Sequence, residues 1–237
     1  MYTGLIEKIG TVVEYQLEDS SSYGGNGMTV SIGDCSSILS DVEEGDSVGV
    51  NGVCLTVTGF GKEKCSFKAG ISPETIRRST LGELREGSKV NLERSAKSDA
   101  RIGGHVVQGH VDTIAQISNK VSDGEAIRIT MRLRDKQNMN YIVEKGFIAI
   151  DGTSLTVTDV NYLTSEFSIM MIPYTQEKVI LPTKYVGDWV NIEVDFTGKI
   201  IEKQLENFLV SQASNDQSKL ALLIDSIVEK KMAGKST

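Results

Sequence analysis

The chain has 237 residues, which is long enough for one large domain or for two small domains with cores of their own. Its 25 Lys and Arg residues against 32 Asp and Glu residues give a net charge of −7 without a basic stripe, which argues against a nucleic-acid partner. Three cysteines without metal-type spacing and only two histidines argue against a zinc site and predict a reducing compartment.

The N-terminal sequence MYTGLIEKIG has an acidic residue at position 7 and no long apolar run, which is unlike a secretory signal. No later segment approaches the roughly eighteen apolar residues that a membrane span requires. The sequence therefore predicts a cytoplasmic protein without a membrane partner.

Two parts of the chain repeat each other. EGDSVGVNGVCLTVTGF (residues 44–60) aligns with EKGFIAIDGTSLTVTDV (residues 144–160), and the same shift of 100 aligns FKAGISPET with FSIMMIPYT and GSKVNLE with GDWVNIE. The opening TGLIEKIGTV aligns with QGHVDTIAQI at a shift of 105. The first copy therefore contains an insertion of about five residues, which we assign to EDSSSYGGNG, a composition typical of an exposed turn or hairpin tip.

Segments such as SVGVNGVCLTVTGF, KVNLER and FIAIDGTSLTV alternate apolar and polar residues, and Gly, Asn and Asp separate them. About six such strands per hundred residues, with no helical pattern between them, predict a small antiparallel barrel or sandwich in each copy. Strand patterning fails at SAKSDARIGG (residues 95–104), where we expect the linker.

After Asp195 the apolar residues recur at three-to-four spacing in KIIEKQLENFLV and KLALLIDSIVEKKM, which predicts a helical tail broken at SQASNDQS. The apolar stripes of this tail either fold back on the protein or pack against tails of other copies. The predicted units are a barrel in residues 1–97, a second barrel in residues 98–198 and the tail in residues 199–237.

Polar residues at matching places in the two copies are candidate ligand contacts. Hydroxyl and thiol groups at a barrel mouth can hydrogen-bond a heterocycle, and two equivalent mouths would hold two similar ligands. Shared apolar residues are more simply core positions, shared glycines are turns, and a duplication alone also produces two barrels. The polar pairs are Thr56 with Thr156, Thr75 with Thr175 and Cys54 with Ser154, the core pairs are Leu55 with Leu155 and Val57 with Val157, and the turn pair is Gly52 with Gly152.

Both histidines fall in GGHVVQGHVD, as His105 and His110. On a regular strand a spacing of five puts their side chains on opposite faces, so at most one faces a shared cavity unless a glycine bulge intervenes. The repeat aligns residues 109–111 with residues 4–6, which we interpret as the first strand of a barrel. We therefore favour His110 as a functional residue and expect a structural role for His105.

Five motifs in order resemble the riboflavin synthase family. MYTGLIEKIG resembles the family's N-terminus, NGVCLTV and DGTSLTV its two barrel motifs, GGHVVQGHVDT its interdomain signature, and VNIEVDFTGKIIEK the run into its C-terminal helix. The resemblance implies an all-β fold of two tandem, pseudo-symmetric, six-stranded antiparallel Greek-key barrels followed by a C-terminal helix.

The resemblance also implies a transferase that needs no cofactor. Two molecules of 6,7-dimethyl-8-ribityllumazine react, one gives a four-carbon unit to the other, and the products are riboflavin and 5-amino-6-(ribitylamino)uracil. In the family each site forms between the N-terminal barrel of one subunit and the C-terminal barrel of its neighbour in a homotrimer, a contact between unlike surfaces. Two identical substrates in one site would account for the duplicated barrel.

The resemblance further implies two sets of substrate-binding residues, acting through backbone groups and Thr hydroxyls. The first set is Gly4, Leu5, Ile6, Cys54, Leu55, Thr56, Gly70, Ile71, Ser72, Pro73, Glu74 and Thr75. The second set is Gly109, His110, Val111, Lys145, Ser154, Leu155, Thr156, Met170, Met171, Ile172, Pro173, Tyr174 and Thr175.

The reaction requires that a proton leave a ring methyl group and that a nucleophile or water add to the other ring. His110 is the candidate proton carrier, because an unperturbed imidazole titrates near neutrality. Ser47, Cys54 and Ser154 are candidates to orient or add to the rings, and Asp195 is a candidate to hold the network.

The chain departs from the family at Tyr2, where Phe is usual, so its hydroxyl needs water or a partner. The tail after about Gly198 is also longer than the family's minimum.

Three other functions are alternatives to the hypothesis of a riboflavin synthase. Non-catalytic lumazine carriers share the fold but tend to lose polar residues of the second barrel, whereas this chain keeps His110, Lys145, Ser154 and Thr156. A flavin-binding barrel of an oxidoreductase is disfavoured because no Gly-rich turn into a helix follows, and GGNG lies in the insertion. A purely structural duplication is disfavoured by the matched polar residues.

Overall fold

The computed structural model describes residues 1–19, 27–214 and 218–233. Within these residues it contains two closed antiparallel barrels of six strands each, which confirms the predicted fold. Most of the proposed insertion in EDSSSYGGNG, residues 20–26, lies outside the described residues.

Six strands form the first barrel: β1 (Lys8–Asp19), β2 (Gly27–Gly33), β3 (Ser47–Val50), β4 (Val53–Phe60), β5 (Phe67–Ile71) and β6 (Lys89–Arg94). Their order around the barrel is β1-β2-β5-β4-β3-β6. The consecutive strands β3, β4 and β5 lie side by side and β6 returns to lie beside β3, which is a Greek key. A short helix, α1 (Pro73–Arg78), follows β5.

The second barrel repeats this arrangement with β7 (Thr113–Asp123), β8 (Ala126–Leu133), β9 (Phe147–Ile150), β10 (Thr153–Asn161), β11 (Glu166–Met171) and β12 (Trp189–Val194). Its order is β7-β8-β11-β10-β9-β12, and α2 (Pro173–Gln176) follows β11 as α1 follows β5. The internal repeat in the sequence is therefore a repeat of the whole barrel topology.

Each barrel has its own core, built from the inward-facing residues of its strands. Leu55 and Val57 of β4 pack in the first core. Leu155 and Val157 of β10 pack in the second. Both pairs confirm the core positions predicted from the repeat, because side chains alternate between the two faces of a strand.

The two repeated turns meet where the barrels pack together. Gly52 and Gly152 have φ angles of +76° and +81°, which glycine adopts without strain. A Cβ atom on Gly52 would lie 2.6 Å from the backbone nitrogen of Gly152. The glycines are therefore required by close approach of the two backbones as well as by the turns.

A matched pair of buried asparagines links the two barrels. The side-chain amide of Asn91 donates to the carbonyl of Asp151 at 2.9 Å, and that of Asn191 donates to the carbonyl of Asn51 at 2.9 Å. Each barrel thus donates a hydrogen bond to a buried turn carbonyl of the other barrel. The contact between the two barrels is therefore symmetric at this point.

The C-terminal tail is a compact unit of its own that begins at Phe196. It contains α3 (Phe196–Ala213) and α4 (Lys219–Ala233), which confirms a helical tail in two pieces. None of the helices in the described segments is long and apolar enough to cross a membrane.

Candidate active site

The segments that precede β1 and β7 pair with each other and then cross to opposite barrels. Tyr2 N–H donates to the carbonyl of Val107 at 2.7 Å, and Val107 N–H donates back at 3.1 Å. Beyond this bridge, the carbonyl of Gly4 accepts from Ser154 N–H at 2.8 Å. The carbonyl of Gly109 likewise accepts from the N–H of Cys54 at 2.8 Å.

This exchange corrects the grouping of the two pockets. The sequence suggested that residues 4–6 belong with Cys54 and residues 109–111 with Ser154. Instead, Ile6 packs against the second core and Val111 against the first. The cause is the bridge between the two segments, which directs each of them past its own barrel.

Two buried glutamates hold the crossing segments. Glu193 accepts backbone N–H bonds from Gln108, Gly109 and His110 at 2.6, 2.9 and 2.8 Å. Burial raises the pKa of the Glu193 carboxyl, and these N–H bonds oppose the rise. The carboxylate therefore fixes the backbone on either side of Gly109.

Glu93 does the same for the N-terminal segment. It accepts from Thr3 N–H at 2.6 Å, from the Thr3 hydroxyl at 2.8 Å and from Gly4 N–H at 3.1 Å. Sequence reasoning missed Glu93 and Glu193, although an identical acidic residue at the end of KVNLE and WVNIE, in otherwise apolar strands, is a signal that pointed to them.

The first cleft has a volume of about 210 Å³ and brings together several of the predicted residues. Cys54 on β4, Thr75 on α1 and His110 on the crossing segment line it. The Ser72 hydroxyl caps α1 by accepting from Thr75 N–H at 3.2 Å, which fixes Thr75 at the cleft. Arg78 completes this wall beside Thr75.

Pairing in the ladders shows which other predicted residues share the Cys54 face. Ser47 pairs with Thr56 across β3 and β4, and Gly49 pairs with Cys54. Residues directly opposite each other point to the same side of a sheet, so Ser47, Cys54 and Thr56 lie on one outward face. Leu55 points into the core, so only its backbone is available to a ligand.

The second barrel presents the matching face with different residues. Phe147 pairs with Thr156 and Ala149 pairs with Ser154. His105 is 7% exposed, its Nδ1 lies 2.6 Å from the Ser154 hydroxyl, and its ring stacks on Phe147 with a centroid distance of 5.1 Å. A polar pair, His105 and Ser154, therefore stands where the first barrel has Cys54.

The prediction that the two histidines lie on opposite faces of one strand is wrong. Residues 105–112 form no strand and contain only the isolated bridge at Val107, so alternation does not apply. Each histidine lies beside a different barrel. Burial lowers the pKa of His105, and the nearby carboxylate of Asp195 opposes this, so the ring is neutral at neutral pH.

The remaining predicted residues fall into three groups. Gly70, Met170 and Thr175 are half-buried, and Ile71, Leu155 and Met171 have their side chains in the cores. Lys145 lies in an exposed turn with φ of +64°, and its N–H donates to the carbonyl of Val157 at 2.8 Å. Exposed residues at or beside α1, α2 and the N-terminal segment are Leu5, Ser72, Pro73, Glu74, Ile172, Pro173 and Tyr174.

Comparison with known proteins assigns both barrels to one family. A model of the lumazine binding domain matches residues 3–95 and 108–195. Riboflavin synthase of Meyerozyma guilliermondii is 62% identical over 98% of this chain and 97% of its own length, and riboflavin synthase of Saccharomyces cerevisiae is 52% identical over 98% of each. A crystal structure of LumP with 6,7-dimethyl-8-(1'-D-ribityl) lumazine has the same fold, with a TM-score of 0.70, 22% identity and coverage of 82% of this chain and 99% of LumP.

Proposed function

Because this chain belongs to the riboflavin synthase family and has that family's transferase activity, we propose that its two barrels each bind one 6,7-dimethyl-8-ribityllumazine. One bound molecule gives a four-carbon unit to the other, and the products are riboflavin and 5-amino-6-(ribitylamino)uracil. The observation that supports this arrangement is the pair of matched outward faces, with a thiol at Cys54 in one and a hydroxyl at Ser154 in the other.

A non-catalytic lumazine carrier is not favoured. The relatives at 62% and 52% identity are riboflavin synthases over nearly their full length. LumP, which was crystallised with the lumazine, with riboflavin and with flavin mononucleotide, is 22% identical and supports only the fold.

We assign the acid–base work to the histidines and the ring contacts to the thiol and hydroxyl groups. His105 is neutral at neutral pH and can accept a proton, and Asp195 would stabilise the imidazolium that forms. His110 lies beside Cys54 in the first cleft and is proposed as the second proton carrier. Cys54 and Ser154 orient or add to the rings.

The other predicted residues are proposed to complete the two clefts. Ser47 and Thr56 share the Cys54 face, and Lys145 and Thr156 are proposed for the second cleft. Orientation of two rings by such fixed groups can contribute about 7–11 kcal/mol to lowering a barrier in favourable cases. No cofactor is required for this transfer.

We propose that a complete site forms between subunits of a homotrimer. The first cleft, at about 210 Å³, is smaller than the usual ligand pocket of about 300–1,000 Å³, so a second wall is expected. In α3, Ile201, Leu205 and Phe208 lie one turn apart and are all exposed, which supports contact between subunits through the tail. The proposed units remain residues 1–97, 98–198 and 199–237, in a cytoplasmic enzyme.

The direct test uses the purified protein with 6,7-dimethyl-8-ribityllumazine as the only added compound, under anaerobic conditions. Riboflavin and the aminouracil should form in equal amounts, which chromatography measures. Lumazine that binds, as seen by fluorescence, but is recovered unchanged would contradict the proposed reaction and favour a carrier.

A further inference from the structure

The side chain of Tyr2 is 3% exposed and its ring lies between two glycines. A Cβ atom on Gly49 would come within 3.2 Å of Tyr2 Cε1, and one on Gly109 within 2.7 Å of Cε2. These are the two ring carbons next to the carbon that bears the hydroxyl. The hydroxyl therefore points through the gap between Gly49 and Gly109.

Both glycines are immediate neighbours of Cys54. Gly49 is its cross-strand partner, and the carbonyl of Gly109 accepts its backbone N–H at 2.8 Å. Cys54 also packs against the buried cluster that contains Tyr2. The phenol thus approaches the thiol from behind, while the other side of Cys54 faces the first cleft.

The Tyr2 hydroxyl has no hydrogen-bond partner among the described residues. An unbonded buried hydroxyl is costly, so a partner is expected. The Cys54 thiol is the neutral polar group beside it, and Glu93 and Glu193 are the nearby acidic groups. Burial raises the pKa of Tyr2 well above its usual range, and the Cys54 side chain adds to the rise. The phenol therefore keeps its proton and remains a hydrogen-bond donor.

The second barrel has no equivalent of this contact. Val107, which pairs with Tyr2 in the bridge, occupies the place that the repeat assigns to Tyr2, and its side chain cannot donate. Ser154 has a different polar neighbour, His105. The Tyr2 hydroxyl is therefore a feature of the Cys54 side alone.

We propose that Tyr2 is a positioning residue of the first cleft, whose hydroxyl donates a hydrogen bond to the Cys54 sulfur and orients it toward the substrate. The proposal rests on the role of the first cleft given above. A thiol without such a bond samples other staggered rotamers, in which its sulfur faces away from the cleft. Tyr2 would therefore keep the Cys54 sulfur presented to the first cleft.

The test is the rate at which iodoacetamide alkylates Cys54 in Tyr2→Phe, followed peptide by peptide with mass spectrometry. We expect alkylation at pH 7 to slow by about three- to tenfold, because a thiol that is free to rotate presents its sulfur to the cleft less often. Cys65, which is exposed, is the internal control and should react equally in both proteins.

Tyr185→Phe is the matched control variant, because it removes the same hydroxyl from a residue that is 77% exposed. It should leave alkylation of Cys54 unchanged. Equal alkylation rates for Cys54 in the parent protein and in Tyr2→Phe would overturn the proposal. So would a change that Cys65 shares, because that would indicate general loosening.

Turnover provides the second measurement. We expect kcat of Tyr2→Phe to fall by about three- to tenfold with KM little changed, as for a contact that matters in the transition state. Alkylation does not require activity, so it is independent of the proposed function. Slower alkylation with an unchanged kcat would overturn the catalytic part of the proposal, while continued riboflavin formation would leave the proposed function intact.

Discussion

The two barrels share their strand topology and the buried contacts of their backbone, and they differ in the side chains that face their clefts. Glu93 and Glu193 occupy matching positions and hold matching backbone segments. Cys54 is matched by Ser154, and among the described residues only Ser154 has a histidine at hydrogen-bond distance, His105. The two copies therefore have the same residue where a carboxyl group holds the backbone. They have different residues on the faces where a ligand would bind. Such a difference suits a reaction in which two identical molecules take unlike roles, donor and acceptor.

The largest effect is expected from blocking one barrel at a time. Thr56 and Thr156 are exposed at matching positions on the outward faces of the two barrels. We expect Thr56→Tyr and Thr156→Tyr each to lower activity by about 10²-fold or more, because displaced rings lose their reactive orientation. Co-refolding the two variants should restore activity if the proposed trimer forms, since one interface of a mixed trimer would join an intact first barrel to an intact second barrel.

Each variant refolded alone is the control and should remain inactive. Mixed assemblies are verified by separating differently tagged subunits. If verified mixed trimers remain inactive, the proposal of a site between subunits is wrong. The two ligands would then meet between the two barrels of a single chain.

The histidines offer a second way to test the comparison. We expect His105→Gln to lower kcat by about 10²–10⁴, the usual range for a positioned acid–base group, because it replaces the ring beside Ser154. Since burial lowers the pKa of His105, the folded protein binds fewer protons than the unfolded chain as pH falls below about 6.5. The free energy of unfolding should therefore decrease toward acid pH, and His105→Gln should weaken this dependence.

His110→Ala is the comparison variant, since His110 is exposed and its loss should leave the stability unchanged. Turnover at several pH values and urea unfolding measure both quantities. A variant at His105 that loses stability but keeps normal turnover would return His105 to the structural role that the sequence alone suggested.

Much of the fold could be predicted because its signals are local. Residues shared by the two copies identified Leu55 and Leu155 as core positions and Gly52 and Gly152 as turn positions. The repeat then gave the number of barrels. The core and turn inferences need only residues within one strand or one hairpin, and the repeat needs only a comparison of the sequence with itself.

The exchange of the crossing segments could not be predicted in this way. Gly4 lies against Ser154, from which it is separated by most of the chain, and Gly109 lies against Cys54. An alignment of the two copies places each segment with its own barrel, because it carries no information on which barrel the folded segment contacts.

The smallest effect concerns the turns, where the two barrels should behave alike. Gly52→Ala and Gly152→Ala should each lower the free energy of unfolding by about 2–5 kcal/mol, combining about 1–2 for a positive φ with about 1–3 for overpacking against the facing turn. Gly45→Ala should cost only about 1–2 kcal/mol, because nothing lies within 4 Å of the added Cβ and Lys145 occupies the matching place with φ of +64°. Urea unfolding of the three variants measures this. Equal losses at Gly45 and Gly52 would mean that strain alone acts and that the repeated turns do not depend on their close approach.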